Sequence, residues 1–135
     1  MKVYILTDME GVGGVVSDSQ VLDGRPGYER AREWLTADAN AAVEGALEGG
    51  ASEVLVLDGH GANGACNLLY DRLHPAAAYV QGTPWAHYLQ SLDSSFGALL
   101  QVGAHARAGT PGAVLEHTMS SLSWVRMRIN GREMG

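Results

Sequence analysis

Two short apolar runs separated by one amphipathic stretch leave this chain little choice of architecture. Val3-Tyr4-Ile5-Leu6 and Glu53-Val54-Leu55-Val56-Leu57 have strand-favouring character. Between them, Pro26 to Leu47 places Tyr28, Ala31, Leu35, Ala39, Ala42, Val43, Ala46 and Leu47 near helical spacing. Pro26 suits a helix start and Gly49-Gly50 a stop. Glu29, Glu33, Asp38, Glu44 and Glu48 read as the solvated face of this helix. Strand, crossover helix and second buried strand make a βαβ unit, in which the two strands run parallel and their carboxyl ends share one edge. The expected fold is therefore α/β, a three-layer domain with a mostly parallel central sheet.

The strand exits carry the chemistry. The first run ends in Asp8-Met9-Glu10, followed by Gly11-Val12-Gly13-Gly14. The second ends in Asp58-Gly59-His60-Gly61-Ala62-Asn63-Gly64. A third, Phe96 to Gly103, ends in Ala104-His105-Ala106-Arg107-Ala108-Gly109. Each loop taken singly is an ordinary solvated turn. In an open α/β sheet, however, ligands bind at the carboxyl edge, and parallel pairing brings His60 toward Asp8 and Glu10. A metal site at that edge is expected. Asp58 has two available roles, orienting the imidazole of His60 or capping a following helix through Leu68, Leu69 and Leu73 to Pro75. His117, twelve residues past His105, can return to the site as a further ligand or a general base, with Glu116 turned away from it.

Elsewhere, Ala77 to Val80 reads as a short strand, and Pro84 to Leu92 as a helix carrying Trp85, Tyr88 and Leu89. His74, which precedes a proline, and His87, on that helix, read as structural. Ser123 to Ile129 alternates in strand fashion and meets Asn130-Gly131, a strong hairpin signal, with only Arg132 to Gly135 left for a return arm.

Composition removes several classes. The 135 residues suit one domain, and the net charge of -6 with scattered basic residues argues against a nucleic-acid face. The single cysteine, Cys66, precludes an intrachain disulfide and a cysteine-based zinc site, and fits a reducing, cytoplasmic setting. No apolar run approaches the roughly 20 residues of a membrane span, and the N-terminus has no signal-peptide pattern.

Asp8, Glu10, His60 and His105 form a set of oxygen and imidazole donors without thiolate, suited to zinc and also to manganese or cobalt. Two metals need about four to six protein ligands with one carboxylate bridging, and Asp8 at the strand's end is the natural bridge. Hydrolysis is the implied reaction class.

The series Asp8-Met9-Glu10-Gly11, Asp58-Gly59-His60, Gly103-Ala104-His105-Ala106-Arg107-Ala108, Glu116-His117-Thr118-Met119-Ser120 and Ile129-Asn130-Gly131 resembles the DppA family of D-aminopeptidases, peptidase family M55. The resemblance runs in order over nearly the whole chain. It implies a two-zinc aminopeptidase that removes N-terminal D-amino acids of the D-alanine type from short peptides, assembled as a ring-shaped homo-oligomer. On that pattern Asp8 bridges the zincs, Glu10 and His60 complete one site, His105 serves the other, and His117 is the catalytic histidine beside the substrate. The same pattern expects a last metal-binding glutamate just after Gly135 and a second half of about equal length. The 135 residues thus read as the N-terminal metal-binding half, a fragment or a degenerate relative; Glu133 lies two positions before the expected glutamate, on the same strand face. Two other readings stand beside it. One is a metal-binding module without catalysis. The other is a haloacid-dehalogenase-type phosphatase, which Thr7-Asp8-Met9-Glu10-Gly11 also resembles, with Asp8 as nucleophile, but which leaves His60, His105 and His117 without a role.

Overall fold

The computed structural model describes residues 1–61, 64–82, 87–120, 122 and 124–134. Its centre is a sheet of four parallel strands in the order β3-β2-β1-β4, with β1 Lys2–Thr7, β2 Glu53–Asp58, β3 Ala78–Val80 and β4 Phe96–Val102. The expected α/β fold with a parallel sheet is what forms. Helix α1, Tyr28–Glu48, crosses one face. It buries Tyr28, Ala31, Leu35, Ala39 and Val43 against Val3, Ile5, Val54 and Val56 of the sheet. The alternate residues of β1, Tyr4 and Leu6, point to the other face, as the two-residue period of a strand requires. There they join Leu57, Leu92 and Phe96, and Tyr4 meets Phe96 edge to face at 5.3 Å. No helix among the described residues is long and apolar enough to cross a membrane.

Among the described residues, two helices expected from the sequence are not seen. After β2 the chain makes only a single 3-10 turn, Tyr70–Arg72. The reason lies in where the backbone groups of this segment find partners. Asp58 accepts from the amides of Asn67 and Leu68, and Thr36 Oγ1 from that of Leu69. Arg32 donates to the carbonyls of Cys66 and Asn67, and Asn40 bonds both Arg72 O and His74 N. Side chains of α1 and Asp58 supply bonds that a helix would otherwise make internally. In the second case, residues 84–86 lie outside the described residues, and the rest of the stretch is turn, closed by Leu92 N bonding Leu89 O, with Ser91 at φ 67°. A left-handed residue there ends any helix.

The hairpin forms as expected, with β5 Met127–Ile129 paired antiparallel to β6 Arg132–Met134. Asn130 and Gly131 both have positive φ, 51° and 79°, the requirement of a tight two-residue turn. The strand expected from Ser123 is shorter: Ser123 lies outside the described residues, and Trp124 to Arg126 precede the ladder.

Candidate metal centre

Register brings three of the loops of the candidate centre together. Thr7 pairs with Asp58 on one side and with Val102 on the other, so the three chains leave the sheet at the same level. The loops after β1 and β4 are then clasped backbone to backbone, Asp8 N to Val102 O at 2.8 Å and Gly11 N to Gly103 O at 2.7 Å. This clasp needs glycine. A Cβ on Gly103, whose φ is 70°, would lie 2.0 Å from Asp8 O, and one on Gly11 would lie 2.1 Å from Ala104 O.

Asp8 sits between two histidines. Its Oδ1 is 3.2 Å from His60 Nδ1 and its Oδ2 3.2 Å from His105 Nε2. His60 is buried, and its Nε2 bonds the carbonyl of Val21 at 2.6 Å. That bond fixes the ring so that Nδ1 faces the carboxylates, the usual outer support of a ligating histidine. Both ring nitrogens have acceptors. Burial pulls the imidazolium down, but the Asp8 and Glu10 carboxylates facing the ring and the Val21 carbonyl prevail, and the His60 pKa is pushed up to about 10. Burial likewise acts to raise Asp8, and the hydrogen bonds and charges of its neighbours, His60 foremost, bring its carboxyl below the usual range instead. A cation entering here replaces a proton on His60.

Glu10 carries the test of fit. Its Oε2 is buried and has no hydrogen bond. His60 Nδ1 is also 3.2 Å from this oxygen, but the nitrogen's one proton is directed to Asp8. A buried carboxylate oxygen without a hydrogen bond beside imidazoles is costly as it stands and suits a bound cation. Candidate ligand atoms of Asp8, Glu10 and His60 all lie within 4.8 Å of one another, as do those of Glu10, His105 and His117. His105 and His117 stack at 3.6 Å between ring centres, and each bonds a backbone carbonyl through Nδ1, that of Ala106 and of Leu115 respectively. Both therefore present Nε2. The chain segments bearing them are held together by His117 N to Ala106 O and Ala108 N to Thr118 Oγ1.

The structure thus brings together all five residues singled out from the sequence, Asp8, Glu10, His60, His105 and His117. Asp58 takes neither role expected of it. Its carboxylate binds the amides of Asn67 and Leu68 and the side chain of Asn67, whose Nδ2 also reaches His60 O, so it shapes the loop after His60 without touching the imidazole. Burial holds its carboxyl above the ordinary range despite these bonds. Glu133 does not reach the centre either. Arg107, Arg126 and Arg128 surround it at 3.1, 2.8 and 3.2 Å. Among the residues that sequence reasoning missed are Val21, which acts through its carbonyl, and the buried Tyr28-Asn67 pair. A carbonyl role leaves no side-chain signal. Asn67 is an ordinary loop residue in the sequence.

A family model described as D-aminopeptidase, Peptidase M55, matches residues 1–135. A D-aminopeptidase of Bacillus subtilis (strain 168) is 40% identical over 121 residues, which are 88% of this chain and 43% of that protein. A solved structure of the Zn-dependent D-aminopeptidase DppA from Bacillus subtilis, described as a self-compartmentalizing protease, superposes with a TM-score of 0.92 at 38% identity. It covers 100% of this chain and 48% of that one. The chain spans about half the length of the relatives it matches.

Proposed function

The chain belongs to the D-aminopeptidase family, and from that premise we propose that residues 1–135 are the metal-binding half of a zinc-dependent aminopeptidase acting on short peptides with an N-terminal D-amino acid. The observation that carries this reading is Glu10 Oε2, buried and unbonded where two carboxylates and three histidines converge. Asp8, Glu10, His60 and His105 would hold the zinc, with Asp8 lying 3.2 Å from both histidines. Zinc supplies Lewis acidity there, acidifying water and polarising a carbonyl. His60 is aligned by the Val21 carbonyl, and Asp8 and Glu10 provide the negative charge that holds a dication. His117 is the proton-handling residue. Its ring is fixed by Leu115 O and by stacking on His105, with Nε2 available to give or take a proton at the reacting group. The phosphatase-like reading is set aside, because it employs none of the histidines gathered on Asp8 and Glu10. By the same family relationship the chain acts as part of a homo-oligomer, and its single cysteine, Cys66, fits a cytoplasmic setting.

The test is release of D-alanine from D-alanyl dipeptides by the zinc-loaded chain, and its loss in a His117→Ala variant that still binds zinc. Zinc binding without turnover of any D-peptide would instead leave the chain as a metal-binding module.

A further inference from the structure

A buried side chain outside the ligand set ties the backbone of His60 to the body of the fold. Asn67 is 0% exposed, and its polar atoms are all engaged. Its Nδ2 donates to Asp58 Oδ1 and to the carbonyl of His60, both at 2.8 Å. Its Oδ1 accepts from the Tyr28 hydroxyl at 2.7 Å, its amide donates to Asp58 Oδ2 at 2.6 Å, and Arg32 Nε donates to its carbonyl at 3.1 Å. Tyr28 and Arg32 are one turn apart at the start of α1, so the carboxamide is mounted on a long, regular element. Asparagine is the residue this place requires. A carboxylate and a carbonyl face the donor end of the carboxamide, and a phenol faces its acceptor end. Aspartate would set oxygen against oxygen there, and an apolar residue would leave these buried groups without their partner.

The bond to the His60 carbonyl matters most for the centre. On the other side of this residue, Gly59 N donates to Thr7 O at 3.0 Å, and a Cβ on Gly59 would lie 2.6 Å from both Leu6 Cδ1 and Thr7 O. With Gly59 seated on β1 and the His60 carbonyl held by Asn67, the backbone that aims the imidazole is fixed from both sides. The Val21 carbonyl then sets the rotation of the ring, and Nδ1 stands 3.2 Å from both Asp8 Oδ1 and Glu10 Oε2. Resting on the zinc reading, we propose that Asn67 is a positioning residue. Through the His60 carbonyl it holds Nδ1 where Asp8 and Glu10 can share a cation with it, and so sets the zinc affinity without itself being a ligand.

The experiment compares the wild type with Asn67→Ala, Tyr28→Phe and Val43→Ala. Asn67→Ala keeps the backbone bonds of residue 67 to Asp58 and Arg32, and Tyr28→Phe removes only the anchor of Oδ1. Val43 is buried about four turns along α1 from Tyr28, so its truncation shows what loss of packing alone does. Zinc affinity, measured by competition with a chromophoric chelator, is expected to fall about 10- to 100-fold in Asn67→Ala, less in Tyr28→Phe, and to stay within about twofold in Val43→Ala. With cobalt in place of zinc, the visible spectrum should change in the two loop variants and not in Val43→Ala, because it reports ligand geometry rather than stability. With no metal added, the ring proton that His60 Nε2 shares with Val21 O should give a sharp, protected NMR signal in wild type and Val43→Ala and a broadened one in both loop variants. Wild-type affinity and spectra in Asn67→Ala, or equal losses in Val43→Ala, overturn the positioning role and leave Asn67 as packing. If Asn67→Ala does not fold, the same readouts on Tyr28→Phe decide, and their being unchanged overturns the proposal. A wild-type chain that takes up no zinc removes the zinc reading, and the His60 ring signal then decides the positioning role by itself.

Discussion

The two halves of the candidate metal centre are built by different means. Asp8, Glu10 and His60 leave paired strands at the carboxyl edge of the sheet, where Asp58, Asn67, Tyr28 and the Val21 carbonyl hold their loops through buried hydrogen bonds. His105 and His117 lie on irregular chain, stacked on one another, and the nearby hairpin is tied to their loop by one exposed ion pair, between Arg107 and Glu133. Buried networks are stiff and are damaged heavily by the loss of one member, while exposed pairs are screened and weak. The first half is therefore preformed, and the second depends on short backbone links and on what surrounds it.

That comparison can be broken at graded points. The largest effect is expected at the clasp that joins the halves. Gly103→Ala forces a Cβ to within 2.0 Å of Asp8 O at φ 70°, and urea denaturation should show a loss of about 4 kcal/mol. A loss below about 1 kcal/mol would mean that the two loops are not locked together. Next is Asp58→Ala, which strips the partner from the Asn67 amide, the Asn67 side chain and the Leu68 amide. About 3 kcal/mol is expected from leaving such buried donors unpaired, with zinc affinity falling as the loop after His60 loosens.

Tyr28 gives a pH-dependent test of the same network. It donates to Asn67 Oδ1 at 2.7 Å, and burial, the leading cause, pushes its pKa from 10.0 up to about 12. The folded state thus prefers the neutral phenol. The resulting stability is fully present below pH 10.0 and is lost as pH rises from there through about 12. In alkaline chemical denaturation the wild type should lose more stability over that window than Tyr28→Phe. Parallel curves would show that the phenol is not confined as described. The smallest effect belongs to the second half: Glu133→Gln should lower the melting temperature only slightly, and high salt should erase the difference. A large loss that persists in salt would make the hairpin as firmly built as the sheet.

Much of this difference was already visible in the sequence. The βαβ pattern fixed the parallel sheet, and with it the meeting of Asp8, Glu10 and His60, because a strand's direction and exit follow from local pattern. Tyr28–Glu48 differs from the expected helix by a residue or two at each end. The segment after β2 was misjudged because Leu68, Leu69 and Leu73 give a helix-like spacing, while its backbone is satisfied by Arg32, Thr36, Asn40 and Asp58, partners distant in sequence. Periodicity does not register such long-range bonds. His117 was legible as a residue returning to the site; its stacking on His105 was not, since it depends on loop conformation, including the positive φ of Leu115 and Met119.

The central claim is that the Glu10 carboxylate, whose buried Oε2 has no hydrogen bond, and its neighbours are a zinc site, and equilibrium dialysis of the 135-residue chain against zinc addresses it most directly. Tight zinc binding is predicted, with proton release as His60 yields its proton, and Glu10→Gln and Asp8→Ala should each weaken it by about 100-fold or more while α1 and the sheet remain folded by circular dichroism. Zinc binding that is absent, or unchanged in both variants, would contradict the account.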